Sequence, residues 1–253
     1  MGCTAACAIG VMAKAPRPGF SKTRLCPPLR TDQAARLSAA FLRDITDNIA
    51  LAARDAPIGG YIAYAPAGTE ALFEGHLAPG TRLLLADGSP PMPPGVDGFG
   101  RSLLHAIMAM LELGHGSAVV LNSDSPTLPT ALLVRTAAAL ARDGERVVLG
   151  PADDGGYYLL GIKAAHAHLF TGIAWSTDSV AQTTRLRAAQ LGLDVVELPS
   201  WYDVDDRPAL DRLLRETETP AITNGLLPYA APVTALALSR MGLRMKSPGL
   251  AAE

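Results

Sequence analysis

The sequence predicts an α/β protein built on an open, mostly parallel sheet flanked by helices. Three observations carry that prediction. Short apolar runs recur at residues 8–13, 118–121 and 147–149 without the polar alternation of a half-exposed strand. Strands covered on both faces have this composition. Segments with apolar residues three and four apart lie between them, and strand alternating with helix is the pattern of βαβ units. Finally, 253 residues with 49% hydrophobic and 18% charged side chains suffice for one large core and exclude disorder.

The elements follow in order. A first strand at 8–13 leads into a loop rich in Pro, Gly and cations. Thr31 or Asp32 then caps a helix whose apolar stripe is Ala34, Leu37, Phe41, Ile45, Ile49 and Ala52. Strands are expected at 58–65 and 82–85, with a short helix at 70–77 between them. The Pro/Gly-rich stretch 87–100 is a long loop, a kind that is often functional in a compact domain. Helices at 101–113 and 132–142 flank the strand 118–121, and the strand 146–149 follows. A turn at 150–156 returns the chain as a strand at 157–162. A helix carrying Val180, Thr184, Ala188 and Leu191, a strand at 195–198 and an amphipathic helix at 208–214 complete the pattern. We divide the chain into a domain at 1–217 and an extension at 218–253, which contains Leu236 and Leu238 and basic Arg240, Arg244 and Lys246. Its pattern fits either a docking helix or a frayed end.

Composition narrows the function classes. A net charge of -2 argues against nucleic-acid binding by bulk electrostatics. Cys3, Cys7 and Cys26 are too few and too irregular for a disulfide framework or a zinc site, so they read as incidental thiols. The apolar N-terminus lacks a charged leader and is interrupted by Lys14 and Pro16, so it reads as strand rather than signal peptide. Met1-Gly2-Cys3 lacks the Ser or Thr of an acylation start, since Ala6 stands there. No apolar run reaches the ~18 residues of a membrane span. A cytoplasmic location is the expectation. The five histidines are scattered and read as surface residues, and no nucleophile–His pair is apparent.

The stretch with the most chemistry is the loop after the first strand. Lys14, Arg17, Lys22 and Arg24 fall within eleven residues with Pro16, Pro18 and Gly19, and no acidic residue occurs between Met1 and Thr31. Arg offers a planar fork to phosphate oxygens and Lys a mobile point charge. A shaped cationic loop at a strand end therefore reads as a polyphosphate site. Acidic residues gather at later strand ends: Asp124, Asp153-Asp154, and Asp203-Val204-Asp205. In an open α/β sheet such ends converge on one ligand face. One or two carboxylates with phosphate oxygens and waters make a Mg²⁺ site. Each cluster alone would also serve as a turn or a helix cap.

Taken together, Lys14-Ala-Pro-Arg-Pro-Gly19, Lys22-Thr-Arg24-Leu, Ser123-Asp124-Ser-Pro-Thr, Gly150-Pro-Ala-Asp-Asp154-Gly-Gly-Tyr-Tyr, Trp175-Ser-Thr and Trp201-Tyr-Asp203-Val-Asp205 resemble a bacterial family of GT-A-fold transferases. The family is labelled selenodomain-associated transferase 1 and is related to the nucleotide-diphospho-sugar transferases. The resemblance runs from about residue 8 to 214 and implies the GT-A fold. By similarity, Asp124 takes the place of the first metal aspartate, Asp205 the second, and Asp154 a third. Ala13, Lys14, Arg17, Gly19, Lys22 and Arg24 are expected at the nucleotide phosphates, with Lys22, Arg24, Asp124 and Asp205 as the catalytic set. Asp154, Gly155, Gly156, Tyr157, Trp175 and Ser176 are expected to border a small-molecule acceptor. The implied reaction is Mg²⁺- (or Mn²⁺-) dependent nucleotidyl transfer from a nucleoside triphosphate. Glycosyl transfer from a nucleotide sugar and non-catalytic nucleotide binding are the alternatives. The first loop departs from the glycine-rich opening of nucleotidyltransferases, having only Gly19, and Asp124-Ser125-Pro126 is not a full Asp-x-Asp.

Overall fold

The structure, a computed structural model, describes residues 6–223 and 225–244. Cys3, the Met1-Gly2-Cys3 start and Lys246 lie outside them. Seven strands form one sheet: β1 (Cys7–Ala13), β2 (Ile58–Tyr64), β3 (Arg82–Leu85), β4 (Ser117–Leu121), β5 (Arg146–Pro151), β6 (Tyr157–Ile162) and β7 (Asp194–Glu197). Their order is β3-β2-β1-β4-β6-β5-β7, and every pairing is parallel except those of β6, which runs against both β4 and β5. The carboxyl ends of the parallel strands therefore share one edge. The basic loop leaves β1 there, Asp124 follows β4, Asp153-Asp154 follows β5, and the segment to Asp205 follows β7.

Helices cover both faces. On one lie α1 (Thr31–Ala52), α3 (Thr130–Leu140), α5 (Arg207–Glu218) and α6 (Pro232–Arg240); on the other lie α2 (Phe99–Glu112) and α4 (Val180–Gln190). Alternate strand residues serve the two cores: Ile9, Val11 and Val119 pack with Leu37 and Phe41, while Ala8 and Val120 pack with Ile107 and Met110. The period-2 strand geometry makes that split obligatory. The whole apolar stripe expected for α1 is buried.

Several local expectations are corrected. Arg30, not Thr31 or Asp32, is the N-cap of α1: it is extended, and its backbone N–H donates to Gln33 Oε1 at 2.9 Å. Asp32 instead turns back to pair with the Arg30 guanidinium at 3.1 Å. The helix expected at 70–77 is one 3₁₀ stretch, Glu70–Phe73. Leu191 leaves the buried stripe of α4 because it is the C-cap before Gly192, and it is exposed. His115 is no simple surface residue, since it lies within 2.7 Å of the Tyr61 hydroxyl.

The tail resolves into a docked helix. Asp44 of α1, fully buried, accepts hydrogen bonds from the first amides of α6, Val233 N–H at 3.1 Å and Thr234 N–H at 2.6 Å. The carboxylate thus caps a helix from outside it, satisfying donors that have no intrahelical partner. Burial raises the Asp44 pKa, and its bonds to Thr234 and Val233 lower it less. Leu226 and Leu238 complete the contact by joining the α1-side core.

Candidate active site

Trp201, with no exposed surface, fixes the carboxyl-end edge. Its amide donates to Pro151 O at 3.2 Å, and its carbonyl accepts from Asp153 N–H at 3.2 Å. The chain beyond it is stitched to the end of β4: Ser125 Oγ donates to Tyr202 O at 2.8 Å, and Val204 N–H to Asp124 O at 2.9 Å. Residues about 80 apart in sequence are thereby placed side by side.

Between them stands Lys22. Its Nζ lies 2.7 Å from Asp124 Oδ1, 3.0 Å from Asp205 Oδ1 and 2.8 Å from the Val204 carbonyl. An ammonium has three protons to donate, so all three are engaged. The side chain is 6% exposed, against 31% and 40% for the two aspartates. Burial pulls the Lys22 pKa down, but Asp124 and Asp205 outweigh it, and the net shift is upward. Lys22 itself is left-handed, with φ 50°, an uncommon conformation for a side-chain-bearing residue.

This trio lies on the wall of a cleft of about 480 Å³ at the ends of β1, β2 and β4. Ala13, Lys14 and Arg24 line it, as do Phe20, Phe99 and Ser102. Among the described residues Lys14 and Arg17 form no ion pair, as the acid-free N-terminal stretch suggested, whereas Lys22 and Arg24 pair with aspartates distant in sequence. Arg17 does not line the cleft. It stacks over the Phe20 ring at 4.4 Å and, with Gly19 at φ 79°, shapes the loop.

A second cleft of about 510 Å³ adjoins the first, and Arg24 and Asp205 line both. Asp153, Asp154, Asp203, Arg212 and Arg215 complete its charged wall. Asp203 is pushed up to about 6, first by burial and then by Asp205, Asp154 and Asp124. Of the residues expected at an acceptor, Asp154 lines this cleft. Gly155 and Gly156 form the turn behind it, with Gly156 N–H donating to Asp154 Oδ1 at 2.9 Å. A Cβ on Gly155, at φ 88°, would meet Asp178 O at 2.2 Å, so that turn admits only glycine. Tyr157 packs into the α2-side core with its hydroxyl buried. Trp175 donates to Asp97 O at 3.1 Å and packs edge-on to Phe99; Ser176, the residue after it, is left-handed at φ 63°. The structure therefore places Trp175 behind the first cleft. None of the five histidines lines either cleft.

Sequence reasoning missed Arg212 and Arg215, whose signal was only their spacing of three on α5. Arg212 lies 3.7 Å from the Tyr202 ring centroid and pairs with Asp153 and Glu216, each at 3.2 Å. Arg212→Ala is expected to cost about 1–2 kcal/mol through lost stacking and lost pairing. Calorimetry should show a melting temperature lower by roughly 2–8 °C. Arg212→Lys should recover less than half of that, since lysine cannot stack as a plane.

Among the described residues no group of three His, Cys, Asp or Glu side chains is arranged to hold a metal ion. Asp124 and Asp205 nonetheless reach one point together, with a carbonyl as a third oxygen. Two carboxylates with an oxygen-only surround suit a hard divalent cation that completes its shell with water and phosphate.

A family model described as an uncharacterized protein conserved in bacteria (DUF2064) matches residues 48–177, half of the chain. The chain belongs to this family. The DUF2064 match includes Asp124 and the Asp154 turn, and stops short of both the basic loop and Asp205. A crystal structure of a Desulfovibrio desulfuricans G20 protein, described provisionally as a nucleotide-diphospho-sugar transferase, is 27% identical to this chain. It covers 95% of this chain and 99% of its own, with a TM-score of 0.73. A cytidylyltransferase from Leptospira borgpetersenii serovar Hardjo-bovis (strain JB197) is 9% identical, with a TM-score of 0.53 and coverage of 97% and 99%. This DUF2064 chain thus has the GT-A-like fold expected from its motifs. No curated protein matches it in sequence. No helix among the described residues is long and apolar enough to cross a membrane.

Proposed function

We propose that this protein is a Mg²⁺- or Mn²⁺-dependent nucleotidyltransferase that moves a nucleotidyl group from a nucleoside triphosphate to a small anionic acceptor. One observation carries the reading. Asp124 and Asp205 meet at a single cation point on the wall of a cleft that the basic loop following β1 also lines. A divalent ion held by the two aspartates would neutralise charge on the phosphate oxygens. Lys14 and Arg24, exposed in the same cleft, would bind the triphosphate and steady the departing pyrophosphate. Arg24 and Asp205 face both clefts, so the acceptor would enter from the second and meet the α-phosphorus at their junction. Arg212 and Arg215 would hold its anionic group there, with Asp154 beside them on the same wall.

Glycosyl transfer would use the same cleft for a nucleotide sugar, and the released product separates the two. Nucleotidyl transfer cleaves between the α- and β-phosphates and frees pyrophosphate; glycosyl transfer frees an intact nucleoside diphosphate. The test is a panel of nucleoside triphosphates and nucleotide sugars with pooled phosphorylated and sugar acceptors and Mg²⁺ or Mn²⁺. Acceptor-dependent pyrophosphate is the expected result. Diphosphate release from a nucleotide sugar, with no pyrophosphate from any triphosphate, would sink the proposal.

A further inference from the structure

Lys22 occupies the point that the proposed function gives to a metal. Its three donors are satisfied by Asp124, Asp205 and Val204, and none is left for a phosphate oxygen. Two cations cannot share that point, because mutual repulsion at such short range is strong in a part-buried site. Lys22 also sits in a left-handed conformation at the start of the 3₁₀ turn Thr23–Leu25, with buried Ser21 before it and exposed Thr23 and Arg24 after it. The ion pairs hold Lys22 in that conformation, which is uncommon for a residue with a side chain.

We propose that Lys22 is a resident counter-ion that exchanges with the incoming metal: its ammonium neutralises Asp124 and Asp205 while the site is empty of metal, and metal entry expels it toward the nucleotide phosphates. This deepens the proposed function and rests on its metal site. The exchange keeps two partly buried carboxylates from facing each other uncompensated, and it couples metal arrival to delivery of a phosphate-binding group. The prediction has opposite signs for two ligands. Lys22→Met removes the competitor, so Mn²⁺ alone should bind roughly 10- to 100-fold more tightly than in the wild type. It also removes the delivered ammonium, so a nucleoside triphosphate with Mn²⁺ present should bind roughly 10- to 150-fold more weakly. A lysine that merely supports the fold would weaken both.

The experiment measures free Mn²⁺ by electron paramagnetic resonance for the wild type, Lys22→Met and Asp124→Asn, without nucleotide, and then triphosphate affinity by calorimetry at saturating Mn²⁺. A second measurement needs no variant. The chain has four lysines, Lys14, Lys22, Lys163 and Lys246. Amine labelling of the wild type followed by peptide mass spectrometry should show Lys22 protected without metal and several-fold more reactive with Mn²⁺, Lys163 being the internal reference. Wild-type Mn²⁺ binding with no gain in Lys22→Met and no change in labelling would overturn the exchange and leave the metal site standing. No Mn²⁺ binding by the wild type or by Lys22→Met would overturn both.

Discussion

Asp124→Asn is expected to lower metal-dependent turnover by roughly 10²- to 10³-fold, as a metal ion contributes several kcal/mol of transition-state charge stabilisation and a loss of about 3–4 kcal/mol gives that factor. The stability change should be small by comparison. Asp124 is part-exposed, its backbone carbonyl still accepts from Val204, and Lys22 keeps Asp205 and the Val204 carbonyl. Circular dichroism and a thermal melt alongside the pyrophosphate assay separate the two effects. Full activity in a folded variant would remove Asp124 from the metal site. A collapse of the fold would mean that its main role is to neutralise Lys22.

Asp44→Ala should produce the larger loss of stability. It strips the cap from α6, leaves one buried and one part-buried amide without an acceptor, and opens a void at a position with no exposed surface. A lost cap and an unsatisfied buried donor each cost about 1–2 kcal/mol, so roughly 3 kcal/mol in total is expected. For a chain of this size the melting temperature should fall by about 6–12 °C. Asp44→Asn keeps one acceptor oxygen and should lose about half as much. The pH dependence follows from the raised pKa of the folded state. The folded protein holds the Asp44 proton more tightly than the unfolded chain does. The group therefore contributes most below the ordinary carboxylate range, and that contribution is lost as pH rises through the raised value. The gap between wild type and Asp44→Ala should accordingly widen on acidification; a gap that narrows would contradict the buried carboxyl. Turnover below the melting range should be unchanged, since Asp44 lines neither cleft.

How much of this was legible beforehand depends on how local the signal is. Strands β1, β4 and β5 announce themselves by apolar runs at their centres, and α1 by a stripe of six residues that are all buried. That Asp124 and Asp205 approach each other is legible because one follows a strand and the other precedes a helix, and open α/β sheets bring such points together. The pairing of Lys22 with Asp205, 183 residues away, was not legible, because the absence of nearby acids says nothing about distant ones. Arg212 was hidden for the same reason, and its partners Asp153 and Tyr202 come from two different loops. Tyr157 sits beside motif residues in sequence yet faces a core, because successive residues of a strand point in opposite directions, and Trp175 faces the Phe99 ring from within a turn whose shape the sequence does not reveal.

The grip of Asp44 on Val233 spans 189 residues, and synthesis imposes an order on it. At about 5–20 residues per second, roughly 10–40 s separate the emergence of the carboxylate from that of the amides it caps. During that interval the outer face of α1 is unfinished on the ribosome, while the parallel strands β1, β2 and β4 are already available to pair. A nascent chain of this protein would therefore pass through a stage with these strands paired and the seam between α1 and α6 open, the stage at which a chaperone would have the most to hold.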